Sequence, residues 1–353
     1  MNNDYEKILR WIQETVECDY REDIALVLIY GSYVNGTIHR LSDVDTFFIP
    51  KTNRGYAFAS TFIIGDIGYD IFPMSWERVS RIAEIQEHLL PLLGDSVILY
   101  SATKEDEKRF FSLRTRMQTL VDDQVYMHQQ ALRKLENAAK NLVIAKSKHS
   151  LHEVRLETGR GFLALADAIA YANDTYFHQG LKKHLQDLST FPKIPDKFML
   201  CYNNCIRAKT VDDIIKKLTA AIAMTANFLE VPFPNEISLS TDVMRKPREI
   251  EYSELASFYE EFVSTINKIR INIEEGDWHM TFVNGVCLCN ALEDITTEFG
   301  LKSMPVLEEF DVEDLPRFLS TIEEMESQLI QIIESGGGVI HRYSDFDAFL
   351  QTN

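Results

Sequence analysis

The sequence predicts an α+β chain, a small mixed-sheet domain followed by an all-α region of helical bundles. Three observations predict it. Short apolar runs bounded by turn residues crowd the first hundred positions. From about residue 104 apolar residues recur at helical spacing almost to the last position. The stretch VPFPNEISLSTDVMRKPRE (231–249) holds three prolines and little periodicity, and it divides the helical region. The expected organisation is a mixed-sheet domain over 1–103, a helical domain over 104–235 holding the ligand cleft, a linker over 236–250 and an acidic helical domain over 251–353.

Each element has its own signal. Tyr5, Ile8, Leu9, Ile12 and Val16 share one face of a helix over 4–18. ALVLIY (25–30) is a continuous apolar run ending at Gly31-Ser32, which fits a strand buried on both faces. VDTFFI (44–49) is a second strand. AFASTFIIGDIGYDIF (57–72) is one kinked strand or a hairpin turning near Gly65-Asp66. Ser75 caps a helix starting at Trp76, and VILY (97–100) is a further strand. Helices are expected over 104–147 (with a break), 150–173, 180–189, 196–207, 210–229, 251–275, 279–299 and 312–334.

Composition narrows the function classes. The 353 residues are 45% hydrophobic and 25% charged, ample for a packed core. No apolar run approaches the roughly 18 residues of a membrane span, and the acidic, amphipathic start does not read as a signal peptide. Five cysteines without Cys-x-x-Cys spacing point to free thiols and a reducing cytoplasm. The net charge of −18 is uneven: −7 over 1–100, +5 over 101–250 and −16 over 251–353. Such acidity argues against a nucleic-acid partner, because phosphates need cations. It is compatible with a cationic ligand, although a solvated acidic face explains it as well. Homo-oligomerisation is left open.

The chemistry concentrates in residues 27–72. Asp43 and Asp45 stand two apart on an expected strand, so their carboxylates share a face. Two ionised carboxylates side by side repel, and a divalent cation resolves the conflict. Hard oxygen ligands favour Mg²⁺ or Mn²⁺. Asp70, inside Tyr69-Asp70-Ile71, supplies a third carboxylate from another strand. Metal-bound carboxylates suit phosphoryl chemistry. Gly31-Ser32, at a strand-to-helix turn, offers backbone N–H groups to phosphate.

GSYVNGT, the spacing from Ser32 to Asp43, DVD and YDIF together resemble the nucleotidyltransferase domain of the DNA polymerase beta superfamily. The style is that of small bacterial nucleotidyltransferases with a helical C-terminal domain, kanamycin nucleotidyltransferase among them. The resemblance implies Asp43, Asp45 and Asp70 as the catalytic metal site, ATP or another nucleoside triphosphate as co-substrate, and Gly31 and Ser32 as triphosphate holders. It implies transfer of a nucleoside monophosphate to a hydroxyl of a small, cationic acceptor such as an aminoglycoside, with release of pyrophosphate. Many relatives carry a basic residue where this sequence has Asn35, so the phosphate-contacting cation is sought elsewhere, at Arg40, Lys182 or Lys183. Glu153 and Glu157, four apart on a helix, are candidate general bases for the acceptor. A protein-modifying adenylyltransferase and a non-catalytic nucleotide-binding module are the alternatives.

GTIHRLSDVDTFF (36–48) has an echo in GVIHRYSDFDAFL (338–350). The echo lacks a following strand for a third carboxylate, so a second metal site is not expected. A short helix capped by Ser344 or Asp345, with Phe346, Phe349 and Leu350 on its apolar face, accounts for it. A fold of this segment over the nucleotide domain is the alternative.

Overall fold

The computed structural model describes residues 4–181, 183–235, 237 and 246–352. Helix α1 (Asp4–Asp19) buries the stripe Ile8, Ile12 and Val16. Strand β1 (Ile24–Ile29), the four-residue helix α2 (Gly31–Val34) and strand β2 (Thr46–Pro50) follow. The stretch 57–72 is the hairpin, with β3 (Ser60–Ile64) and β4 (Ile67–Pro73) turning at Gly65-Asp66. Ser75 caps α3 (Trp76–Ala83), its Oγ accepting from the Arg78 N–H at 3.2 Å. Then come α4 (Leu90–Gly94), too short for periodicity to reveal, and β5 (Val97–Ser101).

The helical region holds α5 (Lys104–Val121), α6 (Gln124–Lys146), α7 (Leu151–Tyr171), α8 (His184–Thr190), α9 (Phe198–Ile206) and α10 (Val211–Phe228). The break expected within 104–147 falls at Asp122-Asp123, where the Asp123 carboxylate caps α6. After the proline-rich stretch come α11 (Tyr252–Glu274), α12 (Trp278–Phe299) and α13 (Leu315–Ser335). Of the expected linker, residues 236 and 238–245 lie outside the described residues, and the rest has no regular structure. The chain closes on β6 (Arg342–Tyr343) and α14 (Phe346–Leu350), with Asp345 as cap. No helix among the described residues is long and apolar enough to cross a membrane.

The six strands run in the order β5-β1-β2-β4-β3-β6. The sheet is mixed: β2 pairs β4 in parallel and β3 pairs β6 in parallel, while β1–β2, β1–β5 and β3–β4 are antiparallel. Both faces are covered. Leu26, Leu28, Phe47 and Ile49 join the core shared with the helical region. Val27, Phe48, Phe62 and Tyr69 join a second core under α1 and α14. Double coverage explains why β1 reads as an unbroken apolar run rather than an alternating one.

Helix α11 lies against β4 and β3. Gly68 of β4 permits the contact: a Cβ there would stand 2.6 Å from the Glu260 carbonyl oxygen and 3.0 Å from Val263 Cβ. Helix α12 packs beside α11 and against α7.

Candidate active site

The Asp-Val-Asp segment stands immediately before β2, not within it. Its alternation is nonetheless that of extended chain. Val44 is buried with Tyr5, Leu9 and Ile29 on one side, and Asp43 and Asp45 turn to the other. The segment is held at several points. The Tyr30 N–H donates to the Asp45 carbonyl at 3.0 Å. The Tyr5 hydroxyl donates to the Ser42 carbonyl at 2.9 Å. The buried Ser42 accepts at Oγ from the His39 N–H at 2.9 Å.

Asp43, Asp45 and Asp70 line one cavity of about 350 Å³, together with Tyr30 and Phe72 from the sheet. The opposite wall comes from late in the chain. Helix α11 contributes Glu261, Ser264, Thr265 and Lys268, at the spacing of one helix face, with Phe258 and Phe262; α12 adds Cys287, Ala291 and Asp294. The sequence expectation placed the cleft in 104–235, but its helical wall belongs to 258–294.

The electrostatics are those of crowded carboxylates. Burial, then Glu261, Asp43 and Asp45, push the Asp70 carboxyl up to about 8. The Tyr30 phenol is driven well above its ordinary range by burial and by Asp45 and Asp43, so it stays neutral and can donate. Lys268 is the only Lys or Arg among the described lining residues. Burial disfavours its charge, yet Asp45 and Asp43 outweigh that and hold it above the usual lysine range. Glu261 is raised by burial of its carboxyl, although the residue as a whole is exposed at the cleft mouth. Burial pushes the Cys287 thiol up to about 11, so it is mostly protonated and slow to react at neutral pH while it stays buried.

The other expected residues are placed differently. Gly31 and Ser32 do not line the cavity. Gly31 has φ +72, and a Cβ there would stand 1.9 Å from Asp45 Oδ2. Its glycine lets the Asp45 carboxylate lie against the turn. Ser32 is buried in α2. Glu153 is not a cleft residue: it accepts from Lys148 Nζ at 2.9 Å and Ser150 Oγ at 3.0 Å at the start of α7, and Lys148 lowers its pKa. Glu157 is not one either. It pairs with Arg160 at 2.6 Å, and Arg160 reaches Asn290 and Glu293 on α12, so this charge cluster joins two helices. Arg40 pairs with Glu274 at the far end of α11, Lys183 precedes α8 outside the cavity lining, and Lys182 lies outside the described residues.

No group of three His, Cys, Asp or Glu side chains among the described residues is arranged to hold a metal ion as it stands. The donor set still fits a hard divalent cation. Three carboxylates share one cavity, and burial, with the charge of Glu261, Asp43 and Asp45 beside it, raises the proton affinity of Asp70.

Residues 9–123 match the family model described as "Nucleotidyltransferase domain". The chain carries a nucleotidyltransferase domain. It is thereby an enzyme of the nucleotidyltransferase class, and the match runs from within α1 through α5 and contains Asp43, Asp45 and Asp70. Among solved structures, a nucleotidyltransferase-like protein from Exiguobacterium sibiricum 255-15 aligns at 7% identity with a TM-score of 0.34, over 62% of this chain and 74% of that one. The comparison with curated proteins finds no match. The cleft residues of α11 and α12 fall outside the matched nucleotidyltransferase domain, and the sequence reading missed them. Their signal is a polar stripe, Glu261-Ser264/Thr265-Lys268, on an amphipathic helix, and a solvated face produces the same pattern.

Proposed function

We propose that the protein transfers a nucleoside monophosphate, AMP from ATP in the simplest case, to a hydroxyl of a small cationic acceptor of the aminoglycoside kind, releasing pyrophosphate. The observation that carries this reading is the placement of Lys268 and Glu261 across one cavity from Asp43, Asp45 and Asp70 in a nucleotidyltransferase domain. In this reading residues 1–103 hold metal and triphosphate, residues 251–353 close the cleft, and residues 104–235 brace it.

Asp43, Asp45 and Asp70 would hold Mg²⁺ or Mn²⁺. Such a cation neutralises phosphate charge and lowers the pKa of an attacking hydroxyl. Lys268 meets the triphosphate with the positive charge that Asn35 does not supply. Glu261, its affinity for a proton raised by burial, takes the proton from the acceptor hydroxyl as that oxygen bonds to the α-phosphorus and the bond to pyrophosphate breaks. Glu261 and Asp294, on the helical wall, offer two carboxylates to a cationic acceptor, with Phe258 and Phe262 as its apolar bed.

The test is calorimetric titration with a non-hydrolysable ATP analogue, with and without Mg²⁺, followed by an acceptor screen with labelled ATP. Asp45→Asn is expected to abolish metal-dependent binding and turnover. Lys268→Met is expected to weaken analogue binding at least tenfold. Glu261→Gln is expected to spare binding of the ATP analogue and cut turnover about 100-fold, within the usual range for a general base. Analogue binding that ignores both Mg²⁺ and Asp45→Asn would sink the reading.

A further inference from the structure

The segment that echoes the Asp-x-Asp motif is folded as a strap across the nucleotidyltransferase domain. β6 extends the sheet beyond β3, with the Ile63 N–H donating to the His341 carbonyl and the Gly65 N–H to the Tyr343 carbonyl, each at 2.8 Å. α14 then drops Phe349 onto Phe62, ring centres 4.4 Å apart, and onto Trp11 of α1 at 4.8 Å. At the crossing of strap and helix sits Glu260 of α11, with no exposed surface. One carboxylate oxygen accepts from Thr61 Oγ1 of β3 at 2.7 Å. The other accepts from the His341 backbone N–H at 2.5 Å and lies 3.0 Å from His341 Nδ1. Beside it, Arg342 donates to the Tyr259 hydroxyl at 3.0 Å.

A buried carboxylate is a costly way to join a helix to a sheet, since an apolar side chain packs there without desolvating a charge. What the carboxylate adds is direction. Helix α11 carries two stripes one residue out of phase. Glu260 and Asn267 face the sheet, Asn267 Nδ2 donating to the Asp66 carbonyl at 2.7 Å. Glu261 and Lys268, the next residue in each case, face the cavity. Rotation of α11 about its axis is therefore coupled to the aim of both cleft residues.

We propose that Glu260 is a positioning residue. Clamped between Thr61 and the strap residue His341, it sets the rotation of α11 and so places Glu261 and Lys268 over the carboxylates. The roles of those two rest on the function proposed above; the clamp itself is tested independently of activity. Cys287 lines the same cavity from α12, behind α11. Its labelling by a maleimide, located by mass spectrometry in a Cys18→Ser background, reports opening of that wall.

Glu260→Leu, Thr61→Val and a chain ending at Gly337 are compared with the full chain. Glu260→Leu and the shortened chain are expected to label at Cys287 more than tenfold faster and to turn over at least tenfold more slowly, with circular dichroism unchanged. Thr61→Val, which removes a single bond, is expected to show smaller changes in the same directions. Glu260→Gln keeps an acceptor oxygen and is expected to recover most of the activity. A synthetic peptide of residues 338–352 is expected to restore slow labelling to the shortened chain. Wild-type labelling in both Glu260→Leu and Thr61→Val overturns the proposal. So does faster labelling in the shortened chain that the peptide does not reverse. If the full chain neither binds the ATP analogue nor transfers label, the functional reading fails, and Cys287 labelling still decides the clamp.

Discussion

Gly31 and Asp45 compete for one volume, and glycine at 31 settles it in favour of the carboxylate. Gly31→Ala adds a methyl group at a positive φ, which costs on the order of 1–2 kcal/mol. It also drives that methyl into Asp45. In the function proposed above, displacing the Asp45 carboxylate by about 1 Å is enough to lower rate roughly 100-fold. The expected outcome is a modest fall in melting temperature with a turnover loss of that size, measured on the same preparation. A second residue-scale prediction concerns His184 and His279. They sit with buried Tyr202, ring centres 6.2 Å apart, and their ring nitrogens have no hydrogen-bond partner among the described residues. Burial depresses their pKa values to about 3 and about 4. The unfolded chain takes up protons near 6.5 and the folded chain does not, so stability is full above that pH and is lost as pH falls toward the folded values. The loss is about 2 kcal/mol per histidine between pH 6.5 and 5. Denaturant titrations across that window should show the slope, and His184→Gln/His279→Gln should flatten it. At this scale Asp43, Asp45 and Asp70 were legible because strand alternation and order along the chain restrict them. Glu261 and Lys268 were not, because an exposed stripe and a cleft-facing stripe look alike until the neighbouring element is known.

At the scale of elements, most of the sheet could be read from short apolar runs and their glycine boundaries. β6 could not: a two-residue strand has no periodicity, and it exists because β3 offers unpaired backbone groups. The closing segment was legible as a capped helix with Phe346 and Phe349 inward, which the structure has, while its docking site depends on Trp11 and Phe62 at the other end of the chain. Helix α11 was legible as a helix but not as a wall of the cleft, since Gly68 signals a close approach without naming what approaches. Gly68→Ala tests that contact. A Cβ at 2.6 Å from the Glu260 carbonyl forces α11 off β4 at a cost of roughly 1–3 kcal/mol. The expected outcome is a lower melting temperature together with weaker binding of the ATP analogue. Analogue affinity at the wild-type level would separate the helix position from the cleft.

For the molecule as a whole, part of the −16 carried by residues 251–353 lies at the cleft, where Glu261 and Asp294, with Lys268 beside them, line the wall opposite Asp43, Asp45 and Asp70. Binding of a cationic acceptor should weaken as salt rises from 0.01 to 0.15 M, as the Debye length shrinks from about 30 to about 8 Å. An affinity insensitive to salt over that range would count against a charged acceptor. The strap has a further consequence for how the protein is made. The carboxylates leave the ribosome early, the wall opposite them late, and the segment that pins the wall later still. Pairing β3 with β6 closes a loop spanning most of the chain, the kind of contact that slows folding. Catalytic competence is therefore expected to lag behind formation of the nucleotidyltransferase domain during synthesis. A product truncated before residue 338 would display Asp43, Asp45 and Asp70 without the strap that holds the opposite wall in place.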